Sequence, residues 1–589
     1  MAVVPPAAHS AAPAGSPKRQ SRGLVIGVNG VVSAVIVILV MAVALVFNPP
    51  APPSIAEFAP QAQKPITKAP PNLNSSVGNS GACAPGTTSC AHKPPPKKKS
   101  HALLPTPTPK PIGVPSALQC YKWPDGSVTQ DFDPQSPPCV ATWPGQKQGN
   151  GGATANGVTA TEVRIGVPKD GSIYSTLTTL QPMVDFINSH FELYGRQITI
   201  VPFKSQQATD AVPCNQCTQP TAQAADARSA GSYHLFASMD YVDTTGDVRT
   251  LPEYIDGLTR QKIISISGGN SSDDVDANVI TSEPDYAFTY LPPISDVWTS
   301  MGSLVCRQLA GHNAVHSPQF ANKPRKFAVM IPVPTQFGGP TYGMSGLFQQ
   351  LSACGVPKPR VVEYNGAPLK DAPQFVQLRN EGVTSIIFYS TWGGASSTSS
   401  PPNVASHVGY RPEWLNVGWK AYNSVGLSAT EEAKEVFGVA PFNRQLPYQQ
   451  EFWAQTAAQG GTPAANLGAM SNGDDFYHEL LLIASGVQMA GPHLTPQTFA
   501  AALHKTRFPN PGAGASPYWQ ATVGFPGTEQ SMVRDLTGFW FDPAHSSTAE
   551  VEETGDASDD WQGFCYVNRG ARYGITAWPR TDSFYKGCR

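Results

Sequence analysis

Charged side chains are scarce in this sequence. They make up 14% of its 589 residues, where about 25% is usual for a globular chain. Lys and Arg number 40 and Asp and Glu 42, a formal net charge of −2. No basic excess exists to hold a phosphate backbone, so no nucleic-acid partner is expected. Catalytic fingerprints are missing as well. There is no Walker A loop, no glycine-rich dinucleotide fingerprint and no nucleophile elbow. His478-Glu479 begins like a metalloprotease helix, but Leu482 stands where the second metal ligand would be. Ser583-Phe584-Tyr585-Lys586 has the spacing of penicillin-interacting serine enzymes, and its companion motifs are absent. No enzyme activity, metal or cofactor is expected.

Proline and glycine are abundant, at 58 and 53. The distribution is uneven. Residues 1–23 read as a short cytoplasmic tail with Lys18, Arg19 and Arg22. Leu24 to Phe47 then runs 24 residues without a charge, long enough to span the ~30 Å hydrocarbon core of a bilayer. Basic residues precede the run and the first charge after it is Glu57. The positive-inside rule therefore leaves the main body outside the cell, on a single-pass signal anchor in the cell membrane. An unusually long cleaved signal is the alternative. Residues 48–119 are a Pro-rich, disordered tether, which fixed proline φ angles make semi-rigid.

The 10 cysteines fall in neighbouring pairs, which suits disulfides in an oxidising compartment. Proximity alone suggests Cys83–Cys90, Cys120–Cys139, Cys214–Cys217, Cys306–Cys354 and Cys565–Cys588. Cys214 and Cys217 have redox-motif spacing, but they follow Pro213 in a polar stretch and read as a loop staple. Residues 120–157 form a disulfide-prone prelude with little periodicity, and ordered structure is expected from Val158.

From there short apolar runs alternate with amphipathic stretches. Strands are expected at Val163–Val167, Gln197–Pro202, His234–Ala237 and Ile263–Ile266, with helices between them. The alternation restarts after Pro293. A helix at Val297–Ala310 leads to strands at Lys326–Pro332, Arg360–Tyr364 and Ser385–Tyr389. Runs of this kind need a parallel sheet with helical crossovers. The expected fold class is α/β, with two doubly wound parallel-sheet lobes in tandem.

At this point particular residues resemble a known family. Gly157 to Val167 is similar to the first strand of type I periplasmic-binding proteins. Asp185-Phe186-Ile187-Asn188 followed by Tyr194-Gly195-Arg196 matches the family's first helix and its lead into the second strand. Phe236-Ala237-Ser238, Ile264 to Gly269, Tyr286 to Tyr290 and Asp475 to Ala484 follow in the family's order, then Leu494-Thr495-Pro496 caps the next helix. The match covers residues 157–545 and is nearest the branched-chain amino-acid-binding proteins of ABC importers.

The resemblance implies a three-crossover hinge. Lobe 1 would be 158–292 plus 446–520 and lobe 2 would be 293–445 plus 521–545, with 546–589 a disulfide-closed tail. It also implies ligand-binding positions at Ser238 and Asp240, at Ser267, Gly268, Gly269, Asn270 and Ser271, and at Tyr389, Thr391, Trp392 and Trp419. Hydroxyls and glycine-exposed amides suit a ligand carboxylate, and the aromatic residues suit an apolar part. One departure matters. The stretch Leu415 to Lys420 lacks the acid that would neutralise a ligand ammonium, and a buried unpaired ammonium is costly. The expected partners are thus a small-molecule solute (amino-acid-like, amide or aromatic) and an ABC permease. The alternative is a membrane-anchored ligand sensor using the same cleft.

Overall fold

A computed structural model describes residues 120–131, 133–145, 149–169, 173–204, 220–239, 252–267, 280–332, 343–364, 368–389, 400–417, 431–441, 473–511, 521–541, 564–566 and 571–580. All lie in the compact unit Pro94–Arg589. The expected anchor and tether fall outside the described residues, as do Cys83, Cys90, Cys214, Cys217 and Cys588. No described helix is long and apolar enough to cross a membrane.

A two-stranded antiparallel ribbon opens the described chain, β1 (Tyr121–Lys122) with β2 (Val128–Thr129). The first large sheet follows: β3 (Glu162–Lys169), β4 (Gln197–Lys204), β5 (Ala237–Met239), β6 (Ile264–Ser267) and β7 (Ala287–Thr289). All are parallel, in the order β4-β3-β5-β6-β7. Helix α1 (Ile173–His190) connects the first two strands, and α2 (Pro220–Gly231) and α3 (Pro252–Thr259) connect the next. Alternation along β3 explains the layering. Val163, Ile165 and Val167 bury in one core with Met183, Phe186 and Ile187 of α1. A separate cluster of Phe203, Leu235, Tyr254 and Leu258 fills beneath α2 and α3. The strand expected at His234–Ala237 begins at Ala237 instead. His234 has φ of 51°, a left-handed turn conformation that no strand residue adopts.

The second sheet repeats the order. Its parallel strands β8 (Phe327–Pro332), β9 (Arg360–Tyr364), β10 (Ser385–Tyr389), β11 (Glu413–Val417) and β12 (Val436–Ala440) run β9-β8-β10-β11-β12. Phe327, Val329 and Ile331 face α4 (Ile294–Leu304) and α5 (Ser345–Ala353), while Ala328 and Met330 join the core with Phe375 of α6 (Pro368–Asn380) and Val404 of α7 (Pro401–His407). The helix expected to Ala310 ends at Leu304 and continues as a π-helical turn, Val305–Leu309. The expected Cys306–Cys354 disulfide is formed, linking that turn to the end of α5.

The chain then returns to the first sheet. Helix α8 (Gly473–Ala490) packs against α1, and α9 (Pro496–Lys505) sets Phe499 edge-on to Phe236 and Phe288. Thr495 caps α9 reciprocally with Thr498, and Pro496 occupies its first turn, as the sequence implied. Residues 521–533 also run beside the first sheet. Met532 N–H donates to the Thr289 carbonyl (2.8 Å) and Thr289 N–H to that of Gln530 (2.9 Å). The chain crosses back only at 533–535, to β13 (Asp535–Phe541), which pairs antiparallel with β12. The chain therefore passes between the sheets at 290–293 and 533–535 and once between Pro441 and Gly473, where residues 442–472 lie outside the described residues.

Two terminal segments join this framework. Described structure begins at Cys120, ahead of the expected Val158, because polar contacts rather than apolar periodicity order the prelude. Trp123 Nε1 donates to Thr129 Oγ1 (2.8 Å), Gln130 Nε2 to the His190 carbonyl (2.9 Å) and Gln488 Nε2 to that of Pro138 (3.1 Å). The expected Cys120–Cys139 disulfide closes the segment. At the other end, β14 (Phe564–Tyr566) and β15 (Tyr573–Gly574) pair with β13, so the expected tail extends the second sheet. Cys565 lies in β14; its expected partner Cys588 is outside the described residues.

Two measurements check these contacts. Trp578 is fully buried and its Nε1 donates to Ser300 Oγ of α4 (2.8 Å). Trp578→Ala is expected to cost about 3–5 kcal/mol in urea denaturation; a change below about 1 kcal/mol would show the tail to be loosely attached. Asp133 is buried, and desolvation pushes its pKa up to about 6 from 3.8, against the lowering influence of the Gln135 N–H and His478. A carboxyl with a raised folded pKa stabilises fully below 3.8 and loses that contribution as pH climbs through about 6. Relative to Asp133→Asn, the wild-type melting temperature should therefore rise between pH 7 and pH 5. Parallel pH profiles of the two proteins would exclude this titration.

Candidate functional site

In a doubly wound sheet, ligands bind outside the carboxyl ends of the strands where the strand order reverses. That reversal lies between β3 and β5 in the first sheet and between β8 and β10 in the second. The implied binding positions fall beside these points. Ser238 sits in β5 and Ser267 ends β6, adjacent strands in register at Ser238↔Ser265 and Met239↔Ile266. Tyr389 ends β10 directly opposite Val417, the last residue of β11. Asp240, Gly268, Gly269, Asn270, Ser271, Thr391, Trp392 and Trp419 belong to the segments that leave these four strands and lie outside the described residues.

Two implied ligand groups point elsewhere. Ser238 Oγ is fully buried and shares a hydrogen bond with the Tyr254 hydroxyl of α3 (2.8 Å). Tyr389 is 4% exposed, and its ring packs 6.1 Å from that of Trp298 of α4. Both side chains make interior contacts in this conformation. Alternation is the cause: neighbouring strand residues face opposite sides of a sheet, and both sides here are covered by helices.

Among the described residues no ion pair lies at the carboxyl ends of β5, β6, β10 or β11. None of the parallel strands ends on Asp or Glu. The buried Arg325–Glu413 pair (2.7 Å), with Ser385 Oγ donating to Glu413 (2.6 Å), sits where β10 and β11 begin, at the opposite end. Nearby His316 has its pKa pushed down to about 4 by burial, against the opposing pull of Glu413. This cluster is neutralised within the second unit and reads as architectural. Among the described residues no three metal-ligating side chains gather.

One residue escaped the sequence reading. Asn416 in β11 is fully buried, and neither atom of its side-chain amide has a hydrogen-bond partner. It lies one position from the strand's carboxyl end, beside Phe388 and Gly438. Its signal in the sequence is a polar amide inside the apolar run Trp414-Leu415-Asn416-Val417, in the stretch noted only for its missing acid. A buried amide of this kind costs stability and calls for a reason beyond packing. Replacement by the similarly sized Leu, Asn416→Leu, is expected to raise stability by about 1–3 kcal/mol in urea. A loss of stability would show that the amide is satisfied by an internal water.

No protein-family model and no curated protein matches this chain. Solved structures do. The leucine-, isoleucine-, valine-, threonine- and alanine-binding protein of Brucella ovis, in a closed conformation, is 11% identical, with 72% of this chain and 97% of that one covered at a TM-score of 0.45. A branched-chain amino-acid ABC transporter structure from Thermus thermophilus with bound valine is 12% identical, covering 71% and 98% at 0.45. A solute-binding protein of an ABC transporter from R. palustris, in complex with 4-hydroxybenzoate, is 12% identical, covering 65% and 93% at 0.44. Likenesses at these identities and scores assign no solute, and the functional reading rests on this chain's own topology.

Proposed function

We propose that this chain is an extracytoplasmic solute-binding protein that captures a small organic solute by closing two α/β units about their connecting passages, and that it delivers the solute to an ABC permease. One observation carries the reading. The five parallel strands of each sheet share one order, and the positions singled out in the sequence leave the reversal point and the strand beside it in each. A paired arrangement of this kind offers a binding edge from each unit, with solute affinity favouring the closed state.

The solute proposed is amino-acid-like, an amide or an aromatic acid, with no requirement for a free ammonium group. The absent acid in Leu415–Lys420 and the buried amide of Asn416 support that class over an ordinary α-amino acid. Trp392 and Trp419 would supply apolar surface. The run 24–47 is proposed as the anchor that keeps the body at the outer face of the membrane.

A thermal-shift screen of the purified protein against L-leucine, L-valine, primary amides, 4-hydroxybenzoate and sugars tests this. A solute at 100 times its dissociation constant adds about 2.7 kcal/mol of stability, which raises the melting temperature by several degrees. Trp392→Ala should then weaken the hit at least about tenfold, the scale of losing one buried aromatic contact. Unchanged affinity in Trp392→Ala and Trp419→Ala together would overturn the site. A screen without any hit would count against the solute classes named.

A further inference from the structure

The ten parallel strands need neither the prelude nor the tail, yet a buried side chain from each reaches the ends of the passages between the sheets. Gln135, in the prelude, is 1% exposed. Its Oε1 accepts from the Tyr290 hydroxyl (2.9 Å) at the start of the first passage, and its Nε2 donates to the Ala521 carbonyl (3.3 Å). Ala521 adjoins Thr522, whose carbonyl accepts from Arg534 N–H (2.9 Å) and whose own N–H donates to the Asp535 carboxylate (3.1 Å) at the third passage. The first and third passages also touch directly, through Val533 N–H to the Tyr290 carbonyl (2.9 Å).

Arg572 does the equivalent from the tail. Its Nε donates to Asp535 Oδ1 (2.9 Å) and its Nη2 to the Asp535 carbonyl (2.7 Å). The same Nη2 reaches the carbonyl of Pro441, where the chain leaves β12 for the second passage. The two side chains of the Arg572–Asp535 pair are 5% and 8% exposed. One planar guanidinium thus ties the adjoining ends of β12 and β13, where the second and third passages meet the second sheet, a task that the point charge of Lys cannot duplicate.

We infer that Gln135 and Arg572 are positioning residues of the hinge, bracing the first and third passages and the described end of β12 so that the two units move about a common axis. The inference rests on the closing motion proposed above. Its physical basis is independent of any solute. Val533 and Tyr290 pair directly between the first and third passages, and Gln135 and Arg572 hold backbone carbonyls at the passage ends, so these groups contribute to the opening free energy there.

Hydrogen exchange on the full chain, without solute, tests this. Gln135→Ala should speed exchange of the Thr522 and Val533 amides about tenfold, the effect of removing one buried hydrogen-bonding side chain. Arg572→Met should do the same at Thr522 and Arg534, and Arg572→Lys should fall between. Amides of β3 and β10 should be unchanged in every variant. Unchanged exchange at the passages overturns the inference. So does equal acceleration in β3 and β10, which would make both residues general contributors to folding; the volume-conserving Gln135→Met and the milder Arg572→Lys keep the test valid if the first variants unfold. Local acceleration in a protein that binds no solute would leave the fastening intact and remove the transport reading.

Discussion

A chain that builds each of two sheets in two visits must cross between them three times, and these crossings are the constraint on which the rest depends. At 290–293 and at Arg534 the backbone belongs to neither large ladder, so its polar groups need other partners. Val533 bonds Tyr290 across the first and third passages, and the third passage is braced locally, Arg534 bonding Thr522 and Thr522 bonding Asp535. The first and third passages are therefore tied directly to each other. Rotation about one of them is not independent of the other, which is the property a single closing motion needs.

The sheets impose a second consequence. A parallel sheet covered by helices on both faces leaves only its edges and strand ends to water. Val163, Ile165, Val329 and Ile331 serve the core and nothing else. Chemistry is pushed to the carboxyl ends, where segments rich in glycine, hydroxyls and aromatic side chains leave β5, β6, β10 and β11. The unpaired Asn416 amide is an exception, a polar group retained inside a strand beside that same edge. The ionic cluster of Arg325 and Glu413 sits at the other end, away from the proposed binding edge.

Much of this was legible from periodicity. The repeating apolar runs revealed both sheets, the Thr495-Pro496 cap revealed the start of α9, and cysteine proximity revealed two bridges. Other features gave no periodic signal. The prelude is held by Gln130, Gln135 and Gln488 amides, which look like solvent-facing residues in a one-dimensional reading. Strands as short as Phe564–Tyr566 and Tyr573–Gly574 fall below any pattern and form only because β13 offers them an edge.

Sequence by itself determined the α/β class, the tandem repeat of one strand pattern and the strand ends where a site belongs. These follow from local alternation, which a chain must obey wherever it folds. The direction of Ser238 and Tyr389, the docking of both terminal segments and the tying of the passages by Gln135 and Arg572 were decided only in three dimensions. Each depends on partners between 16 and 386 residues away, and a contact over such a distance leaves no trace in the spacing of its own neighbours.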